Sequence, residues 1–243
     1  MVGSGSQVIA GEVITMSQYE VQPYMGKNLP GGGPLIHFIT SLFESMGYEV
    51  KIAWFPHKRA YMNINKGLWD CSAGWNKLPE REGEVLFSDT ILYETVYLYH
   101  LKSTPIQWKS IDDLKHYRTG LKLGAAVYGD AFLSAVKSNK LTVDYAITDF
   151  QNIKKLFAKR IDIVPLSKIY TGYFLQNHFS KEEINLITYH PKPLYNSSFH
   201  VIFSKENKPL MKVFNGAFLK AGGRKIFKEK IEEMSQSVYK VKK

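Results

Sequence analysis

The chain has 243 residues, 44% hydrophobic and 14% aromatic, which is enough for one large domain or two small ones around a real core. Lys and Arg outnumber Asp and Glu by 32 to 22, a balance that favours acidic partners. The cations are scattered, however, and their densest group, Arg224 to Lys230, is interleaved with Ile226, Phe227 and Glu229 as an amphipathic helix, so a nucleic-acid or membrane-surface role rests on charge alone.

One cysteine, Cys71, permits no intramolecular disulfide and reads as a small core residue. No apolar run approaches the ~20 residues that cross a bilayer. The opening Met1-Val2-Gly3-Ser4-Gly5-Ser6 lacks the apolar core of a signal peptide and reads as a vector-derived leader, with any natural signal sequence removed.

Taken in order, Val8 to Met16 predicts a first strand around Gly11, and Ser17 to Gly33 a loop carrying Tyr19, Pro23-Tyr24 and the triplet Gly31-Gly32-Gly33. No Gly-Lys-Ser/Thr follows the triplet, so a nucleotide loop is not expected. Pro34 suits the first position of a helix whose apolar residues Leu35, Phe38, Ile39, Leu42, Phe43 and Met46 recur at helical spacing, with Gly47 as its stop. A strand over Tyr48 to Phe55 and a helix from Pro56 to Lys66 come next. From Trp69 a strand-like run breaks at Gly74, a turn carries Pro79-Glu80-Arg81, and Val85-Leu86-Phe87 leads to Ser88-Asp89.

Beyond the strand Val96 to Leu101, Ser110 predicts the cap of a short helix with Asp112 and Asp113 in its first turn. Leu121 to Ala125 reads as a strand, and the turn Val127-Tyr128-Gly129-Asp130 enters a helix with Phe132, Leu133 and Val136 on one face. Val143 to Ile147 is the next strand, and Asp149 the predicted cap of a helix bearing Phe150, Ile153, Leu156 and Phe157. Arg160 to Pro165 reads as a short buried strand, and Ser167 opens a helix to about Asn177. Strands at Leu186 to Tyr189 and Phe199 to Phe203 flank Pro191 and Pro193. Two helices, Pro209 to Ala221 and Arg224 to Met234, end the chain.

Strands alternating with helices argue for largely parallel sheets covered on both faces, an α/β class. The sequence holds no His-Glu-x-x-His, no Gly-x-Ser-x-Gly and no dinucleotide fingerprint, and its seven His are dispersed, so no metal or cofactor is expected. Arg81 stands out instead. An Arg fixed in a turn after a strand can grip a carboxylate through two parallel N–H···O bonds.

Several short runs share an order and spacing: Gln22-Pro23-Tyr24, Gly67-Leu68-Trp69-Asp70, Gly74 through Arg81, Phe87-Ser88-Asp89, Asp113-Leu114, Tyr128-Gly129, Arg160-Ile161-Asp162 and Phe214-Asn215. Together they resemble the family 3 extracellular solute-binding proteins, the polar amino-acid binders of ABC importers, from about Val8 to Met234. The resemblance implies a two-lobed type II periplasmic-binding-protein fold, each lobe a mostly parallel sheet flanked by helices. Lobe 1 would comprise residues 7–92 and 201–243 and lobe 2 residues 93–200, joined by crossing strands at Ile91–Thr95 and Phe199–Phe203.

It further implies that Gly74, Trp75, Asn76 and Arg81 meet a ligand carboxylate, that Tyr24 walls the cleft, and that the turn at Tyr128 and Gly129 adds backbone donors. Ser167 stands where such proteins usually carry the Asp that pairs with a ligand ammonium, so a carboxylate lacking an α-amino group fits as well as an amino acid. The implied function is capture of a small polar carboxylate by hinge closure for import. A periplasmic monomer serving an ABC permease is expected, with no nucleic acid and no catalysis. The alternatives are a ligand-sensing domain, or a dehydratase-like enzyme using Glu80 as general acid or base.

Overall fold

The computed structural model describes residues 11–124, 128–225 and 227–229. In chain order the elements are β1 (Val13–Gln18), α1 (Pro34–Ser45), β2 (Glu49–Trp54), α2 (His57–Asn65), β3 (Cys71–Trp75), β4 (Leu86–Phe87) and β5 (Leu92–Leu101). They continue with β6 (Arg118–Lys122), α3 (Asp130–Lys137), β7 (Thr142–Ala146), α4 (Asp149–Phe157), β8 (Val164–Ser167), α5 (Lys168–His178), α6 (Lys181–Leu186), β9 (Ile187–Tyr189), β10 (Tyr195–Phe203) and α7 (Lys208–Lys220).

The chain divides into two compact units: residues up to Leu92 together with Ser198 onward, and Tyr93–Ser197. β5 and β10 each belong partly to one unit and partly to the other.

In the first unit, β1 pairs in parallel with β2 along its whole length and with β3, while β10 runs antiparallel to β3 and β4. Helix α1 forms because Leu35, Ile39, Leu42 and Phe43 recur on one stripe, and these residues are buried while His37, Ser41 and Glu44 face out. Each such side chain contributes about 1.5–3 kcal/mol when taken from water. Cys71 is fully buried in β3, and Phe203, Phe214 and Phe218 extend the same core.

The second unit holds the parallel pair β6–β7 and, antiparallel to β5, the strands β8 and β9. One core cluster gathers Leu98, Trp108, Leu121, Phe132 and Ile163; another gathers Tyr99, Ile153, Leu156, Phe174 and Ile187.

Several boundaries differ from expectation. β1 begins at Val13 and runs on to Gln18, where Ser17 and Gln18 are fully buried, while Val8 to Ala10 lie outside the described residues. Gly74 does not end β3: it adopts φ 82 inside the strand, which reaches Trp75. The apolar stretches expected around Ile91 and at Val96 form one strand of 10 residues. Thr148, not Asp149, caps α4, because its hydroxyl accepts from Gln151 N while the Gln151 side chain reaches back. That leaves Asp149 as a buried residue in the first turn. Helix α6 is not legible as apolar periodicity; a Ser180–Glu183 capping box starts it. Ala125 to Val127, Ile226 and the residues beyond Glu229 lie outside the described residues, and with them most of the expected last helix.

At the head of β6, Arg118 clamps Asp162. Nε donates to Oδ2 at 3.0 Å and Nη2 to Oδ1 at 2.8 Å, and the Arg118 backbone N–H also reaches Oδ2 at 2.8 Å. The Arg118 side chain, helped by that backbone bond, holds the Asp162 carboxyl below its ordinary 3.8. A lowered carboxylate pKa contributes stability above the ordinary value, and that contribution is lost as pH falls through the lowered one. Thermal unfolding of Asp162→Asn is therefore expected a few degrees below wild type at pH 7, with the gap closing as the pH is taken below 3.8 and through the lowered value. A gap of equal size at both pH values would contradict the clamp.

Candidate functional site

Arg81 closes a single 3-10 turn, Pro79–Arg81, started by Pro79 after the extended Leu78. Its Nη1 donates to Asn76 O at 3.0 Å, tying the side chain back toward the end of β3. The guanidinium carbon lies 5.1 Å from the Trp75 ring centroid and 5.6 Å from that of Tyr61. Among the described residues no carboxylate lies within ion-pair distance of Arg81, and its other N–H donors have no protein partner. A planar donor fork held by ring stacking and one backbone bond, without an acid of its own, is suited to a planar carboxylate.

The rings beneath Arg81 are themselves fixed. Trp75 is fully buried and donates Nε1–H to Ser72 Oγ at 2.7 Å. Tyr19 donates to Gly74 O at 2.6 Å, and its ring meets Trp75 at 4.7 Å and His57 at 4.6 Å. His57 lies 4.7 Å from Trp75, and Tyr61 lies 5.5 Å from it. A spacing of four places His57 and Tyr61 on one face of α2. Partial burial, then the Arg81 charge, lowers the His57 pKa, so His57 is the neutral neighbour of a cation. Burial is also the main cause that raises the Tyr19 and Tyr61 hydroxyls. Tyr61 Oη and both side-chain amide atoms of Gln18 are buried without a hydrogen-bond partner among the described residues.

Of the residues that the sequence marks, Gly74, Trp75, Asn76 and Arg81 come together in the first unit. Asn76 also donates Nδ2–H to Ser198 O at 2.9 Å, which anchors the carbonyl that holds Arg81. Tyr24 does not join them as an open wall: it is 1% exposed and packs edge-on against Phe199 at 5.6 Å, inside the core. The aromatic of that loop that borders the Arg81 group is Tyr19. Sequence reasoning alone does not mark His57, Tyr61 and Tyr19 as site residues; the four-residue spacing on α2 is the signal that could have found the first two.

In the second unit, Tyr128 is buried against Phe132 at 5.7 Å. Gly129 precedes α3 at φ 83, and a Cβ there would come within 2.7 Å of the Tyr195 ring. Val127 lies outside the described residues. Ser167 ends β8 and precedes α5; its carbonyl accepts from Thr171 Oγ1 at 2.6 Å, and its hydroxyl caps nothing. The same unit holds a polar group that no sequence pattern marks. Asp149 Oδ2 accepts from Tyr170 Oη at 2.7 Å and from Lys122 Nζ at 3.0 Å. A groove of about 460 Å³ in this unit is lined by Leu123, Tyr145, Ile147, Gln151, Lys154 and Arg160 among others, and none of the expected ligand residues lines it.

No protein-family model and no curated protein matches the chain. Solved structures do. A substrate-binding protein of an ABC uptake transporter from Streptococcus pneumoniae with bound histidine is 23% identical, with TM-score 0.66 over 91% of this chain and 92% of that one. The GluR0 ligand-binding core from Nostoc punctiforme in complex with L-glutamate is 17% identical, with TM-score 0.67 over 91% of this chain and 98% of that one. An ancestral arginine-binding protein bound to arginine is 18% identical, with TM-score 0.67 over 91% of this chain and 97% of that one. The architecture is therefore the type II periplasmic-binding-protein fold expected from the sequence. At such identities likeness carries the fold, while ligand chemistry has to come from this chain's own residues.

Gly74 tests how tightly the Arg81 group is built. Its φ is 82, and an added Cβ would lie 2.5 Å from Met25 Cε and 3.3 Å from Leu35 Cδ2. Gly74→Ala is expected to lower stability by about 1–3 kcal/mol in denaturant titration. An unchanged midpoint would show that the strand does not need this backbone.

Proposed function

We propose that this chain is a solute-binding protein that takes up a small carboxylate-bearing ligand, with Arg81 as the carboxylate anchor. The single observation that carries the reading is the Arg81 guanidinium, stacked on Trp75 and Tyr61, tied to Asn76 O and lacking any acidic partner among the described residues. Support comes from the similar structures: a substrate-binding protein with bound histidine, an arginine-binding protein bound to arginine and a ligand-binding core in complex with L-glutamate. In this reading the ligand favours the conformation that holds it best, a population shift toward the bound state.

The physiological role is delivery to an ABC permease by a monomer outside the cytoplasmic membrane. No helix among the described residues is long and apolar enough to cross a membrane. A ligand-sensing role uses the same physics, and likeness to the GluR0 ligand-binding core supports it as the second reading. Catalysis finds no comparable support: Glu80 is exposed in the turn beside Arg81.

A thermal-shift screen of amino acids and small carboxylic acids, followed by calorimetric titration, tests the assignment. A bound acid at a hundredfold its dissociation constant adds ~2.7 kcal/mol, or roughly 5–10 °C in Tm. Arg81→Ala is expected to weaken that acid by about 100-fold or more, since the ligand carboxylate would be left without its paired donors. Unchanged affinity would remove Arg81 from the site.

A further inference from the structure

In the second unit one sheet edge stands open beside an apolar groove. β7 pairs with β6 and with no other strand among the described residues. The Leu123 N–H donates to Ala146 O at 2.9 Å, so Ala146 turns its backbone toward β6. By the alternation of a parallel ladder, Val143 and Tyr145 turn theirs to the open side. Tyr145 O fits this direction, because it accepts from a side chain, Lys155 Nζ, at 2.9 Å. A row of outward N–H and C=O groups is a template for another chain unless something blunts it. Here Lys155 covers one carbonyl, and the Tyr145 N–H and both backbone groups of Val143 still face outward.

The groove of about 460 Å³ is continuous with that edge, since Lys155 both lines the groove and touches the edge carbonyl. Its apolar walls are exposed, Leu123 to 58%, Tyr145 to 50% and Ile147 to 73%. Its charged walls are all cations: Lys154, Lys155 and Arg160 line it, and no acid does. Lys155 pairs with Asp144 at 2.7 Å and Lys154 with Glu183 at 2.9 Å, at the surface. Exposed pairs of this kind are worth about 0–1 kcal/mol each and exchange readily for another carboxylate. Arg160 donates its backbone N–H to Lys155 O, while its guanidinium has no partner among the described residues. Its whole donor fork is therefore open to an incoming acid.

We propose that an extended, acidic segment of a partner protein adds to the outer edge of β7. An apolar side chain of that segment enters the groove, and its carboxylates meet Arg160, Lys155 and Lys154. Main-chain pairing supplies affinity, and the groove with its cations supplies sequence preference. Charge decides against a second copy of this chain as the occupant. β7 carries a single acid, Asp144, and Lys155 already engages it, so a second β7 brings little of the missing negative charge. The inference uses the second unit alone and does not depend on the Arg81 reading.

Fluorescence anisotropy of the full chain with labelled, end-blocked peptides tests it. The probe is Glu-Asp-Val-Leu-Val-Asp-Glu. Three comparison peptides replace every acid by Lys, replace Val-Leu-Val by Ser-Asn-Ser, or N-methylate alternate residues so that the strand cannot pair. At low ionic strength the probe is expected to bind about tenfold or more tightly than each comparison, and to weaken as salt is raised. Arg160→Glu and Ile147→Ser, both at exposed positions, are each expected to weaken the probe by about tenfold while leaving circular dichroism unchanged.

The wild-type comparison needs no variant to fold. Failure of the acidic probe to bind overturns the proposal, as does equal affinity for any of the three comparison peptides. Undiminished affinity in Arg160→Glu with native circular dichroism overturns it too. A wild-type dimer in sedimentation that Ile147→Ser dissolves would give the edge to a second copy. Adsorption to phosphatidylserine vesicles in place of peptide binding, lost in Arg160→Glu, would give it to a membrane surface; either result contradicts the proposal.

Discussion

The central proposal depends on one arrangement, a guanidinium lying over indole and phenol rings with no carboxylate within ion-pair distance among the described residues. Stacking of Arg81 on Trp75 and Tyr61 contributes on the order of 0.5–2 kcal/mol, and the bond to Asn76 O fixes the orientation of the plane. Neither neutralises the charge. Placing the cation here stabilises little by itself and prepares the site for an anion. The support is layered: Ser72 holds Trp75, Tyr19 holds the Gly74 carbonyl, and Ser198 holds Asn76. The lowered pKa of His57, set first by burial and then by the Arg81 charge, belongs to the same logic, since a second cation next to Arg81 would be repelled.

Much of this is legible in the sequence, for identifiable reasons. Periodic apolar residues mark α1, and Pro34 with its preceding glycines marks where it starts. The Gly74-to-Arg81 interval survives as a real unit because strand, turn and bond to Asn76 are all local in sequence. Features set by distant contacts are not legible. Tyr24 and Tyr19 are loop tyrosines five residues apart, and only packing against Phe199 or Trp75 decides which enters the core and which borders Arg81. Thr148 and Asp149 are both good caps, and the side chain of Gln151 settles the choice in favour of Thr148.

That choice has a chemical consequence. Freed from capping, Asp149 turns to Lys122 and Tyr170, residues 27 and 21 positions away, and creates a polar group that no local pattern announces. Ser167, read in isolation, merely removes an expected acid.

The central claim is that Arg81 holds the carboxylate of a small molecule. Native mass spectrometry of freshly purified protein addresses it with no ligand chosen in advance. Wild type should carry a low-mass adduct, recovered on denaturation and identified as a carboxylic acid, and Arg81→Ala purified in parallel should lack it. The same adduct retained at equal occupancy on Arg81→Ala, or an adduct with no carboxylate, would contradict the account.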